Sequence, residues 1–242
     1  MADSDQSARR PPPPSLSAVL AALAEPFDEV DFAALPVAPH DTFRAWLDDA
    51  VVRGVQDPHA LTLSTVDAQG RPDARVVGLR KLDARGWHFS TNAASAKGQQ
   101  LAANAHVALT FFWPRVGRQV RLRGRAVPLT DNDDDGDDDD DDDDDDAERV
   151  ADFAAKPYWS RVVTLGSQQS QVLHDRAALR QSLAEARARL DADPGLVAAG
   201  WRVYAVQPDT AEFWEDAPDR VHRRLQYVRT GDQTWEKREL WP

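Results

Sequence analysis

Apolar side chains recur at two different spacings along this chain, and the change from one to the other divides it. From Ser15 to Asp31 and from Asp41 to Arg53 they fall three and four residues apart, the spacing of one helical face, and Asp41 ahead of "TFRAWLDDAVV" offers an N-cap. Two short helices are therefore predicted ahead of any sheet. Beyond them, "ALTLSTV" (60–66), "ARVVGLRK" (74–81), "WHFST" (87–91), "HVALTFFW" (106–113) and "RQVRLRGRAVPL" (118–129) are of strand length and rich in Val, Leu, Thr and aromatics. Turn signals such as "DAQGRP" and "DARG" separate them. Only "AASAKGQQLAANA" (93–105) breaks the series, and its Ala, Gln and Leu content predicts a helix across a barrel. A short helix near 147–155 and a longer one over 175–192, capped by Asp175, come next. Strands are expected at about 200–207, 210–215, 222–229 and 234–239. The predicted fold is mainly β, a barrel with peripheral helices and a C-terminal β segment.

Within "GRQVRLRGRAV" the period of two sets Val120, Leu122 and Ala126 on one face and Gln119, Arg121, Arg123 and Arg125 on the other. The three arginines read as the wet side of a half-buried strand. Gln119 differs from them as an uncharged amide that both donates and accepts. The same parity, continued through "ARVVGLRK", assigns Arg75 and Arg80 to different surroundings.

Composition changes the picture in three places. The 242 residues carry a formal charge of −12, yet fourteen aspartates stand between Asp131 and Asp146, and without them the remainder carries +2. That run has no apolar side chain to bury, so it reads as a disordered surface loop inserted into one domain that spans 15–242, after a polar, proline-rich tail over 1–14. A near-neutral body gives no reason to expect a nucleic-acid partner. No apolar run approaches the roughly 20 residues of a membrane span, and the start lacks the apolar core of a secretory signal, so a cytoplasmic protein is expected. The absence of cysteine excludes disulfides, thiol nucleophiles and cysteine-bound metals. Histidines at 40, 59, 88, 106, 174 and 222 show no metal-ligand spacing, so no metal is expected. No G-x-S-x-G, P-loop or G-x-G-x-x-G is present, which leaves serine hydrolase and Rossmann readings without support.

What remains is cation and ring. "EFWEDAPDRVHRRLQY" (212–227) gathers a tryptophan, a histidine and three arginines, a set suited to an anionic aromatic molecule such as a flavin phosphate or a nucleotide. The long segment from "ARVVGLRKLDARGWHFSTNAASAKG" through "RQVRLRGRAV", then "SQQSQVL", "GWRVYAVQPDTAEFWEDAPDRVHRRLQY" and "WEKRELWP", resembles the pyridoxine/pyridoxamine 5'-phosphate oxidases in order and spacing, from about residue 35 to the end.

That resemblance implies an FMN-binding split β-barrel working as a homodimer, with flavin sites between subunits and a C-terminal dimerisation segment at about 200–242. It implies FMN contacts from Arg75, Thr91, Lys97, Gln119, Gln169, Ser170, Trp214 and Arg224. Its R-x-H-x-R pattern falls on Arg220, His222 and Arg224, the first two facing a small-molecule substrate as the catalytic pair, with O2 as electron acceptor. The family's substrate-phosphate grip of lysine, tyrosine, arginine and serine falls here on Arg80, Asp152, Lys156 and Ser160. Asp152 would repel a phosphate at close range, with Lys81 as a further cation and Tyr158 as a nearby phenol. The implied FMN contacts also lose a tyrosine at Ser90 and a base at Ala96. Three functions follow: a B6-vitamer phosphate oxidase, a related FMN oxidase of another cyclic substrate as in phenazine biosynthesis, or a non-catalytic flavin-binding split barrel.

Overall fold

The computed structural model describes residues 30–129 and 142–242, with side chains of the second part from 147 onward. The predicted tail at 1–14, all but the last two residues of the predicted helix at 15–31 and most of the acidic run lie outside them. Helix α1 (Pro39–Val52) leads into strands β1 (Ala60–Val66), β2 (Pro72–Gly78), β3 (Lys81–Asp83) and β4 (Gly86–Asn92). Helix α2 (Ala96–Ala103), β5 (His106–Trp113) and β6 (Arg118–Pro128) follow. Helices α3 (Asp142–Ala154), α4 (Tyr158–Gly166) and α5 (Arg176–Ala192) precede β7 (Trp201–Glu215), β8 (Arg223–Arg229) and β9 (Trp235–Leu240). Among the described residues no helix is long and apolar enough to cross a membrane.

The strands form one antiparallel sheet in the order β2-β1-β5-β6-β7-β4-β3, with β8 on β7 and β9 on β8. Strand β7 is its organiser. Its first part pairs with β4, its last part with β8, and β6 runs along both. Two strands are expected here, at about 200–207 and 210–215, on either side of Pro208 and Asp209. The register instead shifts between Arg123 and Gly124, and Pro208 and Asp209 are absorbed as a bulge in a continuous strand. Gly124 is required there, since a Cβ would lie 2.0 Å from the Gln207 carbonyl oxygen.

The inward face is aromatic. Phe43 of α1 packs edge-on against Trp87 at 5.5 Å and Phe111 at 4.7 Å, while Trp46 meets Phe213 at 5.1 Å, so α1 plugs the curl of the sheet. Each such ring, fully buried, contributes roughly 1.5–3 kcal/mol. Tyr227 ties the plug down: its hydroxyl lies 2.9 Å from Thr42 Oγ1 and donates to the Pro36 carbonyl. The predicted parity of β6 holds, with Val120, Leu122 and Ala126 buried and Arg121, Arg123 and Arg125 exposed.

Four local readings change. Helix α1 starts at Pro39, whose fixed φ suits a first helical turn; Ala38 is the N-cap and Asp41 lies inside the turn instead of capping it. The expected strand 74–81 breaks after Gly78, so parity cannot be carried from Arg75 to Arg80. The last five residues of the acidic run begin α3, because a helix N-terminus is where aspartates are best tolerated. Helix α4 was not foreseen; Val162, its buried residue, joins Ala186 and Leu190 of α5. The Asp175 cap is as expected, accepting from Ala177 N at 2.7 Å.

Candidate active site

Strands β2 and β4, the start of α2 and the segment from α3 to residue 169 enclose a cleft of about 540 Å³. Of the residues singled out in the sequence, Arg75, Arg80, Thr91, Lys97, Lys156 and Gln169 line it. Arg75 and Arg80 thus share one cleft, contrary to the parity argument.

Helix α2 builds one cation pair. Ser95, fully buried, caps it by accepting from Gly98 N at 3.2 Å and donating to the Asn92 carbonyl at 2.7 Å. Gly98 is needed because a Cβ would stand 2.4 Å from the Ala93 carbonyl oxygen. This close docking buries Lys97 to 7% exposure, with Nζ 3.2 Å from Thr91 Oγ1. Burial, then the neighbouring Arg75 charge, pushes the Lys97 ammonium below the ordinary lysine range. Arg75 is held by a frame: Nη1 donates to Thr65 Oγ1 at 2.6 Å, and Nη2 to Asp73 Oδ2 at 2.5 Å and Gln100 Oε1 at 3.1 Å. Among the described residues no carboxylate comes within ion-pair distance of Lys97, so this pair is built to receive an anion.

Helix α3 builds the second. Arg80 Nε donates to Asp152 Oδ1 at 2.7 Å, and Asp152 Oδ2 accepts from Trp201 Nε1 at 2.9 Å. Lys156 Nζ sits 3.9 Å from the centre of the Trp201 ring, and burial lowers its pKa although Asp152 opposes the shift. Asp152, expected to repel a phosphate at close range, is ion-paired with Arg80. Tyr158 donates to Asp191 and does not line the cleft, nor does Ser160, exposed on α4. Lys81 turns to Asp83 at 3.1 Å and Glu148 at 3.3 Å. Asp83, His88 and Glu148 come within 4.8 Å of one another, a grouping that sequence spacing did not reveal. Lys81 and Arg85 already pair both carboxylates.

Gln119, Trp214, His222 and Arg224 form another group, and neither they nor Arg220, between β7 and β8, line the cleft. Gln119 is opposite Trp214 in the β6–β7 register and Trp214 is opposite Arg224 in β7–β8. Trp214 and His222 have ring centres 4.9 Å apart, His222 Nδ1 is 3.0 Å from Asp216 Oδ1, and Arg224 Nη2 is 2.9 Å from Glu212 Oε1. Trp201, in the cleft, and Trp214, in this group, are thirteen positions apart on β7, up to about 40 Å along an extended strand. Among the described residues three non-glycine positions have positive φ, two of them Ser170 at 73° and Arg220 at 67°. Such strain persists where surrounding contacts hold it, as Ala96 N does by donating to Ser170 Oγ at 3.3 Å. Sequence reasoning missed Thr65, Gln100 and Trp201, which carry no motif and act by placing the cations.

A curled antiparallel sheet, rimmed by helices around a cation-lined cleft, is the architecture of a flavin-binding split β-barrel. Residues 47–137 match the family described as pyridoxamine 5'-phosphate oxidase, and 201–242 match the pyridoxine 5'-phosphate oxidase C-terminal dimerisation region. The pyridoxine/pyridoxamine 5'-phosphate oxidase of Ectopseudomonas mendocina is 39% identical over 217 residues, 89% of this chain and 94% of the relative. That of Caulobacter vibrioides is 40% identical over 204 residues, 84% of this chain and 85% of the relative. PhzG from Burkholderia lata, solved with tetrahydrophenazine-1-carboxylic acid, superposes with a TM-score of 0.76 at 29% identity, covering 90% of this chain and 100% of that one. The chain belongs to the pyridoxamine 5'-phosphate oxidase family, a family of FMN-dependent oxidoreductases.

Proposed function

We propose that this protein is an FMN-dependent oxidase that converts pyridoxamine 5'-phosphate and pyridoxine 5'-phosphate to pyridoxal 5'-phosphate with O2 as the electron acceptor. The observation that carries the reading is that one cleft holds two cation pairs, each with its own carboxylate: Arg75 and Lys97 beside Asp73, and Arg80 and Lys156 beside Asp152. A phosphorylated cofactor and a phosphorylated substrate together need two such anion subsites. The buried Lys97 ammonium, short of a counter-ion, fits the FMN phosphate, and the N-terminus of α2 adds its partial positive charge. Thr91, Gln169 and Ser170 offer hydrogen bonds around the same end.

When bound, FMN would supply the two-electron redox chemistry at the substrate C4' carbon with O2 reduced to hydrogen peroxide; the alcohol then gives the aldehyde directly, and the amine gives an imine that water hydrolyses to the aldehyde and ammonia. The protein's part is positioning. Arg80 and Lys156 hold the substrate phosphate, and Arg220 and His222 orient the ring. Gln119, Trp214 and Arg224 contact the flavin of a neighbouring copy, since none of these five lines the cleft of its own chain. The working unit is therefore a homodimer, consistent with the match to a dimerisation region.

A second reading, oxidation of a carboxylate-bearing polycycle, has one observation in its favour: Asp152 beside Arg80 reduces the charge available to a phosphate dianion. Anaerobic mixing of the flavin-loaded protein with each phosphorylated vitamer separates the readings. Bleaching of the visible flavin absorbance, its return in air and the appearance of pyridoxal 5'-phosphate and peroxide are expected. A flavin that stays oxidised with both vitamers refutes the assignment.

A further inference from the structure

Arg80 follows the end of β2, outside any strand, and its side chain is 33% exposed. Nothing in its own backbone fixes where the guanidinium goes. Asp152 does: its Oδ1 accepts from Arg80 Nε, and its carbonyl oxygen is 3.4 Å from Nη2, which leaves the Nη1 side of the fork for the cleft. The other carboxylate oxygen accepts from the Trp201 indole and so fixes the plane over which Lys156 Nζ rests. One carboxylate thereby sets two cations that come from different parts of the chain.

The carboxylate is itself fixed. Next to it on α3, Phe153 is fully buried against Trp201, ring centres 5.6 Å apart. One turn earlier, Glu148 pairs with Arg85 at 2.6 Å and Lys81 at 3.3 Å. The helix is clamped to the β3–β4 hairpin independently of Asp152, so Asp152 is not needed as a tether.

We propose that Asp152 is the positioning residue of the substrate-anion subsite, aligning Arg80 directly and Lys156 through Trp201 so that both converge on one phosphate. This rests on the proposed function only in taking that anion to be the substrate's phosphate. Asparagine cannot replace the carboxylate, because its amide accepts from Arg80 or from Trp201 but presents a donor to the other.

The test measures binding by calorimetry on the flavin-loaded protein, with 4-deoxypyridoxine 5'-phosphate, which has no oxidisable group at C4', and with unphosphorylated 4-deoxypyridoxine. Steady-state kinetics with pyridoxamine 5'-phosphate accompany it. Asp152→Asn should weaken the phosphorylated analogue about tenfold, the loss of one charge-assisted hydrogen bond, and leave the unphosphorylated one unchanged. KM should rise by a similar factor with kcat within about twofold, and Asp152→Glu, which keeps the carboxylate and guards against a misfolded asparagine variant, should recover part of the loss. Glu148→Gln, which loosens the same helix, should lower Tm and leave both affinities alone. The proposal is overturned if Asp152→Asn binds the phosphorylated analogue as well as wild type or better, if Glu148→Gln weakens it equally, or if wild type does not prefer the phosphorylated analogue. Wild type that shows the preference and its loss in Asp152→Asn, yet oxidises neither vitamer, refutes the proposed function and leaves the positioning role standing. Oxidation of both vitamers by Asp152→Asn with KM at the wild-type value does the reverse.

Discussion

Lys97→Met isolates the first cation pair. Methionine keeps most of the stem volume and removes the charge, at a side chain only 7% exposed whose Nζ donates to Thr91 Oγ1 at 3.2 Å. Among the described residues no carboxylate lies within ion-pair distance of that ammonium, and burial, with Arg75 nearby, lowers its pKa. Replacing a buried, uncompensated charge by an apolar group should therefore stabilise the flavin-free protein by about 1 kcal/mol, or about 2–4 °C in Tm. FMN affinity should move the other way. A hydrogen bond to a charged partner is worth about 1.5–3 kcal/mol, which is about 10- to 150-fold in Kd. Riboflavin, the same ring and ribityl chain without the phosphate, gives the internal control, and its Kd should stay within about threefold. Flavin fluorescence quenching measures both constants and calorimetry the Tm. The sign with pH is also fixed: an anion binds the protonated lysine, so wild-type FMN affinity should fall as pH rises through the lowered pKa, before ordinary lysines titrate, while Lys97→Met shows no such fall. An equal loss for FMN and riboflavin, or a fall in flavin-free Tm, would refute the reasoning.

Three further outcomes are expected. Gly98→Ala should cost about 1–3 kcal/mol in a urea titration and lower flavin content, because its Cβ meets the Ala93 and Asn92 carbonyl oxygens at 2.4 and 2.6 Å. His88, faced by Asp83, Glu148 and Arg85, is held below its ordinary value of 6.5 by burial, partly offset by Asp83. The unfolded chain then takes up this proton first, so stability is lost as pH falls below about 6.5, and His88→Asn should flatten Tm between pH 7 and 5. Co-expressing Lys97→Met with Arg224→Ala should give mixed dimers in which one of two sites is intact, with more activity than either variant alone; the absence of any recovery would count against a site shared between copies.

Architecture was legible because its signals are local. The change of apolar period, the Asp175 cap and the β6 parity each depend on neighbours in sequence, and each is found where expected. Errors fell where a tertiary contact outvotes a local signal. Residues 208–209 read as a break between strands until β6 and β8 hold β7 straight through them, and "YWSRVVTLG" reads as irregular until α5 gives Val162 a place to bury. Arg75, Lys97 and Gln169 could be named only through a resemblance spread over the whole chain, since none belongs to a short motif. Thr65, Gln100 and Trp201 could not be named at all, because threonine, glutamine and tryptophan in a β protein are ordinary until a cation is seen resting on them. The pairing of Asp152 was hidden for a related reason: it is a contact of 2.7 Å with a residue 72 positions away.

The two cation pairs share a division of labour. In each, the arginine is locked by an aspartate at ion-pair distance, Arg75 by Asp73 and Arg80 by Asp152, so the pair as a unit is nearly neutral. Its value lies in direction, because a guanidinium with one edge occupied can offer only the other. The lysine beside it supplies the net charge. Lys97 is buried over a hydroxyl and Lys156 half-buried over an indole, both with pKa values lowered by desolvation, which is the condition under which a single charge attracts an anion most strongly. An arginine alone would bring charge without a fixed direction; a lysine alone would bring charge without discrimination between phosphate and any smaller anion. It follows that losing either lysine should weaken anion binding in a salt-dependent way, whereas losing Asp73 or Asp152 should weaken it by a factor that salt barely changes. Asp152 beside Arg80 and Lys156 thus repeats the arrangement that Asp73 makes with Arg75 and Lys97 at the other end of the cleft.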